Sequence, residues 1–398
     1  MLGGTLFLAC MGGGAIPVIP SNIFPANIAA YDLDFANSQF SGGTQPATGN
    51  TDDGRFLRQQ IVNTQPNFVE NADGSLKTYT STQLIRWSTR GMAIQNDRTN
   101  RVLWNRDLTN AAWTKTNCTV LKNQTGRTGV ANSASQVTVN ATDATVSQAI
   151  VVTSLLQYGY VDVKRLSGSG TVSMSMDGGA TYTVLDMSKP IFNGICRPSI
   201  PPQTLANPTV MLKFSTSGDV WLVDFVELSD PATANECEPI ATTTASVKGW
   251  RDRAAAYTTD AGPLGLWFRN QTTQVMYFEY AQRQSGALIA SDGDLNISST
   301  LTALSIGANT TANAPLISAD ARLSSINKAM YWRSPSGSAL CLNGGVVAKF
   351  SGFTPDLTGT HYDLGTNGAG ALSLQGIIKR CWFGTIIPTD AVMQAFTT

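Results

Sequence analysis

Apolar and polar residues alternate along this chain in short runs, and they rarely recur at the three-four spacing of a helix. SQVTVNAT, YGYVDVKRL, TVSMSM, TVMLKFST, VWLVDFVEL, QVMYFEYAQ, ALCLNGGVV and RCWFGTII are such runs, bounded by Gly, Asn, Asp or Pro. A period of two turns one face of each run to a core and the other to water, the pattern of antiparallel strands. The convincing exception is TDAVMQAF, Thr389 to Phe396, whose spacing predicts a short helix near the end. Many short strands between turn signals predict an all-β chain, a sandwich or a barrel.

One turn stands out. SMDGGATY, Ser175 to Tyr182, has the pattern Ser-x-Asp-x-Gly-x-Thr-aromatic, which resembles the Asp-box hairpin of sialidase propellers. Asp177-Gly178-Gly179 supplies residues that tolerate positive φ, and the Asp177 carboxylate is placed to accept backbone N–H groups of the loop. A propeller needs one such unit in several blades. No second copy and no fixed-period repeat occurs, so Asp177 is read as a turn-former.

Composition narrows the function classes. The chain has 398 residues, enough for two or three domains, and only 14% of them are charged, with 27 basic residues against 27 acidic. Hydroxyl and amide residues take the place of charge, as in extracellular or virion β-proteins. No basic field is available to gather nucleic acid. The single histidine, His361, in the GTHYDLG stretch, argues against a His-based zinc site and is expected to be a loop residue. Six cysteines without C-x-x-C spacing fit neither a disulfide scaffold nor a metal cluster, so no metal or other cofactor is expected. A reducing assembly compartment, such as a bacterial cytoplasm, fits them. No charged side chain precedes Asp32. The opening apolar run lacks a basic flank and is broken by Gly12-Gly13-Gly14 and Pro17, unlike a signal peptide or a membrane span. Docking of residues 1–31 into a larger assembly explains it better.

Composition divides the chain into three. Residues 1–100 are turn-rich and read as an extended N-terminal arm. Residues 101–242 form one strand set, and residues 243–398 a second after the link ATTTAS. The expected architecture is two β-sandwiches in series behind the arm.

The line RGMAIQNDRTNRVLWNRDLTNAAWTKTNCTV resembles a layout found in bacteriophage virion proteins, matched at Gly91, Ile94, Arg98, Thr99, Asn100, Asn105, Asp107, Leu108, Thr109, Asn110 and Trp113. In that layout the Trp opens a jelly roll similar to carbohydrate-binding modules. The last part of the chain resembles a laminin-G or concanavalin-like sandwich, with LCLNGGVVAKF as its strand–hairpin–strand element. The calcium-binding Asp pair of laminin-G lectins has no clear counterpart.

An acid/base pair for glycan cleavage would need two carboxylates flanking a cleft. Asp224 and Glu227 stand three apart on VWLVDFVEL, where strict alternation sends them to opposite faces, and Glu279 has no partner in sequence. All three are read as structural, and no catalytic residue is assigned. Tyr158, Tyr160 and Tyr182 are the candidate carbohydrate-binding residues, because a sugar ring stacks its apolar face on an aromatic wall. Cross-strand packing or a subunit interface is the competing reading of all three. Trp113, Trp221, Trp267, Trp332 and Trp382 are expected in cores. The resulting expectation is a non-enzymatic phage fibre, spike or decoration protein. It docks on other virion proteins through residues 1–31, forms a homotrimer and contacts host-surface polysaccharide, with no nucleic acid and no membrane insertion. A purely structural capsid or tail component and a glycan depolymerase remain as rivals.

Overall fold

The computed structural model describes residues 31–34, 36, 39–41, 57–58, 67–79, 87–94, 98–230, 238–248, 254–257, 271–282, 286–291, 296–299, 304–306, 326–350, 361–364 and 376–398. The expected docking segment up to residue 30 lies outside them, as do Cys10, Cys237 and Trp267. The regular structure of the described residues is nearly all strand, as the alternation requires, with one helix, Asp390–Thr397, capped by the Thr389 side chain. That helix is not long and apolar enough to cross a membrane.

The middle of the chain is a sandwich of two antiparallel sheets. The broad sheet has nine strands, led by Cys118–Gln124, Ala134–Val139, Val220–Asp230 and Leu155–Ser167 in that order. The narrow sheet has five, in the order Thr183–Val184, Val172–Ser175, Thr209–Phe214, Ala144–Ala149 and Thr114–Thr116. Val137, Val161, Val163, Trp221 and Val223 of the broad sheet meet Val146, Val172, Met174, Leu212 and Phe214 of the narrow one in one core. Each fully buried side chain of this size contributes about 1.5–3 kcal/mol. Trp113 closes the end of this core, 2% exposed, its indole N–H donating to the Trp104 carbonyl at 3.2 Å.

The residues of the Arg-Thr-Asn line act as a strap. Asn100 and Asn105 both donate to the Ile240 carbonyl, at 3.0 and 2.9 Å, and Asn105 accepts from the Thr242 N–H at 2.9 Å. The strap ties the chain's entry into the sandwich to its exit. Asp107 and Asn110 are local turn-formers, accepting from Thr109 N–H and Ala112 N–H.

A second sheet of nine strands, the terminal sheet, is centred on Gly376–Gly384 and Gln274–Gln282. Its core holds Val275, Tyr277, Met330, Cys341 and Trp382, and Met393 of the helix packs on them. Trp332 packs against this core while only partly buried. Tyr31–Asp34 and Gly91–Ile94 both pair with Gly376–Gly384, so the stretch expected to be an extended arm supplies strands to the terminal sheet. Asn343 and Gly344 have φ of 48° and 70°, the geometry a tight Asn-Gly hairpin needs. His361 is not in a turn as expected: it opens the strand His361–Leu364 opposite Tyr257. Cys118, Cys196, Cys341 and Cys381 are free thiols.

Candidate functional site

The strand Val220–Asp230 departs from alternation at one residue, and that residue decides where the acids go. Asp162 pairs with Asp224 and Tyr160 with Glu227, so two steps on one strand face three on the other. The extra residue is Phe225, with φ of 42°. Val223 and Val226 both enter the core. Asp224 and Glu227 therefore share the outer face of the broad sheet, where alternation alone predicted opposite faces. The bulge, which has no Gly to announce it, is the reason for that correction.

Shared placement does not make them an acid/base pair, because arginines hold both. Arg106 meets Asp224 through Nε and Nη2 at 2.7 and 2.9 Å. Glu227 accepts from Arg98 at 2.9 Å, from Arg197 at 2.6 Å and from the Ile240 N–H. Arg197 continues to Asp162 at 2.7 Å, Asp162 to Arg127 at 3.3 Å, and Arg127 to Glu70, which also takes Arg90. Arg98, Arg127, Arg197, Asp162, Asp224 and Glu227 are each at most 2% exposed. The result is a buried chain of alternating charges, stable only because every carboxylate is matched. Burial pushes the Asp224 carboxyl up, Arg106 pulls against it, and the Asp162 charge adds to the rise. Burial opposes the charge of Arg197, yet Glu227 and Asp162 hold its guanidinium above the usual range.

Glu279 sits apart, on the terminal sheet, where it accepts from the Tyr277 hydroxyl at 2.8 Å and faces Lys379 at 3.7 Å. Among the described residues no group of three His, Cys, Asp or Glu is gathered for a metal ion.

The three tyrosines do not form one platform. Tyr158 and Tyr160 stack at 6.3 Å on the outer face of the broad sheet. Tyr160 is 2% exposed, with the Arg197 guanidinium 5.5 Å from its ring centre. Tyr182 belongs to the opposite side of the sandwich. Its hydroxyl donates to the Met211 sulfur at 2.8 Å, and Met211 alternates with core residues Val210 and Leu212, so it faces outward. The Lys213 ammonium lies 4.5 Å from the Tyr182 ring centre and 3.6 Å from Asp143. Gly179 permits this pose, since a Cβ there would fall 2.7 Å from the Tyr182 hydroxyl. Burial raises the Tyr182 hydroxyl's pKa, with Asp143 and Asp177 adding to it. Around it the outer face carries Ser173, Thr145, Ser147 and Ser175, paired across strands with Lys213 and Met211.

Asp177 accepts from Thr181 N–H at 2.9 Å, from the Thr181 hydroxyl and from the Ser175 hydroxyl at 2.7 Å. Burial alone would raise its carboxyl, but these bonds outweigh it and hold it at about 2. It organises the turn that presents Tyr182.

Sequence reasoning missed Arg98, Arg106, Arg127 and Arg197 as a set. A signal existed: Asp162, Asp224 and Glu227 lie inside strongly apolar strands, and carboxylates buried in such strands require counter-ions.

No family model and no curated protein matches the chain. Among solved structures it is similar to truncated AlyQ with CBM32 and alginate lyase domains, at 10% identity and a TM-score of 0.20, over 63% of this chain and 89% of that one. It is also similar to the N-terminal CBM22-1-CBM22-2 tandem domain from Paenibacillus barcinonensis Xyn10C, at 9% identity and a TM-score of 0.21, over 69% of this chain and 92% of that one.

Proposed function

We propose that this chain is a non-enzymatic structural protein of a phage or phage-like particle, assembled in a bacterial cytoplasm, whose sandwiches contact host-surface glycans. In this reading residues 1–31 dock on other particle proteins, and the protein acts as a homotrimer. The observation that carries the glycan part is Tyr182. It is a half-buried aromatic on the outer face of the narrow sheet, held rigid by the Asp177 turn and by Met211, and ringed by Ser, Thr, Lys213 and Asp143. A fixed aromatic wall with a few polar groups is what a sugar ring needs. Support for a non-catalytic role is the engagement of Asp224 by the partly buried Arg106, of Glu227 by the buried Arg98 and Arg197, and of Glu279 by Tyr277 and Lys379.

The test is adsorption of particles carrying Tyr182→Ala, with incorporation and folding checked in parallel. Reduced adsorption with normal incorporation supports the reading; unchanged adsorption removes it. Release of reducing ends from host polysaccharide by the purified protein would promote the depolymerase rival. One observation favours the purely structural rival: the outer face of the broad sheet is occupied by the chain itself, through Glu70 and Arg127.

A further inference from the structure

The hairpin Asn67–Glu70 with Leu76–Tyr79 has two working faces. Phe68 and Leu76 pack with Phe225 of the broad sheet, and the Phe68 and Phe225 rings meet edge-on at 5.2 Å. Arg106 covers Phe225 at 4.0 Å, Arg127 donates to the Gly74 carbonyl at 3.1 Å, and Leu76 N–H donates to the Arg127 carbonyl at 3.0 Å. Gly74, with φ of 81°, lies so close to Ile191 that a Cβ would fall 1.7 Å from its carbonyl oxygen. Residues of the other face, Val69 and Tyr79, pack with Ala93 of Gly91–Ile94, a strand of the terminal sheet. The turn leading into that strand is bonded to the hairpin: Ser88 donates to the Glu70 carbonyl at 2.6 Å, and Ala72 N–H to the Thr89 hydroxyl at 2.8 Å. Gly91 is pressed onto the terminal sheet, where a Cβ would fall 2.6 Å from the Ile378 carbonyl oxygen.

One carboxylate spans both attachments. Glu70 takes Arg127 on one oxygen, from the jelly roll, and Arg90 on the other, from the turn that enters the terminal sheet. We propose that the hairpin 67–79 is a rigid joint that makes the jelly roll and the terminal sheet one mechanical body, and that Glu70 closes the joint. Phe68 and Leu76 are buried on one face of the hairpin and Val69 and Tyr79 on the other, so neither sheet releases it without exposing buried surface. Removal of the Glu70 charge leaves Arg90 and Arg127 without their shared carboxylate, inside an interface where both are at most 9% exposed. The joint fixes the orientation of the jelly roll and the terminal sheet, a role separate from any ligand they hold.

The test uses the full chain, with calorimetry, small-angle scattering and limited proteolysis on Glu70→Gln. Lys349→Ala, which cuts an exposed ion pair with Asp390, is the control. The native chain and the control are expected to unfold in a single cooperative transition. Glu70→Gln is expected to split that transition in two, to increase the radius of gyration, and to open the chain to cleavage within residues 87–94. A variant that merely lost stability would unfold in one transition at lower temperature with unchanged scattering, and that result overturns the proposal. Two independent transitions in the native chain overturn it as well. Should Glu70→Gln fail to fold, Arg90→Met, which takes from Glu70 only its partner on the terminal-sheet side, must produce the same separation.

Discussion

Glu227→Gln changes one charge and almost no volume, so it isolates the charge in the buried chain. Its carboxylate receives three donors: Arg98 at 2.9 Å, Arg197 at 2.6 Å and the Ile240 N–H. An amide offers a single acceptor oxygen and turns its own NH₂ toward at least one of those donors. The connected chain holds Arg90, Arg127, Arg197 and Arg98 against Glu70, Asp162 and Glu227, one positive charge in excess; the substitution makes it two. Glu227 is fully buried, so water offers little relief. Removing one partner of a buried pair costs about 3–5 kcal/mol. At roughly 2–4 °C per kcal/mol for a domain of this size, the midpoint should fall by about 6–20 °C.

The assay is thermal unfolding followed by far-UV circular dichroism, with a double-mutant cycle over Arg197→Met and Glu227→Met. Each single change strands a buried charge, whereas the double change removes both and restores part of the loss. A midpoint for Glu227→Gln within about 2 °C of native refutes the buried-chain argument. So does a double variant whose loss equals the sum of the singles.

Gly126→Ala should destabilise by about 1–3 kcal/mol through crowding, because its Cβ would fall 2.0 Å from an Asp224 carboxylate oxygen and drive it off Arg106; urea titration measures this. Asp177, with its carboxyl held at about 2 against the ordinary 3.8, lends stability that is present above the unfolded value and lost as pH falls toward 2. The midpoint gap between native protein and Asp177→Asn should therefore shrink between pH 5 and pH 2, discounted for solvent screening; a gap that widens refutes the assignment. Tyr160→Ala should cost about 3–5 kcal/mol as a core truncation, whereas Tyr182→Ala should leave the unfolding midpoint nearly unchanged. Equal losses for the two would mean that Tyr182 is core.

The all-β class was legible because alternation is a local property, and the strand set follows it closely. The Asp177 turn and the Asn343-Gly344 hairpin were legible for the same reason: positive φ there is announced by Gly and Asn. The bulge at Phe225 was not, since a phenylalanine at φ of 42° leaves no local mark and is held by Phe68, over 150 positions away in sequence. That single residue moved Glu227 to the face of Asp224. The arginine partners were equally hidden, because Glu227 meets Arg98 across 129 positions. The polar residues of the Arg-Thr-Asn line were seen as a pattern, but their work as a strap on Ile240 and Thr242 is a contact between distant segments.

The two outer faces of the jelly roll end in different chemistry, and this bears on the proposed function. The outer face of the broad sheet uses its charge internally: Arg98, Arg127 and Arg197 orient carboxylates instead of meeting solvent. A chain with only 14% charged residues that buries several of them leaves its surface to hydroxyls and amides. On the narrow sheet those hydroxyls surround Tyr182. Under the proposed function, sugar hydroxyls bound there would exchange water for protein partners of nearly equal strength, so each contact would add little net affinity. Stacking on one ring contributes modestly as well, after ordering costs. Under the proposed function, attachment strength must then come from several copies engaging one surface, where each later contact is effectively intramolecular. Such avidity requires that the copies hold their sandwiches in a common orientation. A joint closed by Glu70 supplies that requirement within each chain, which gives the buried ion pairs a geometric role besides their part in stability.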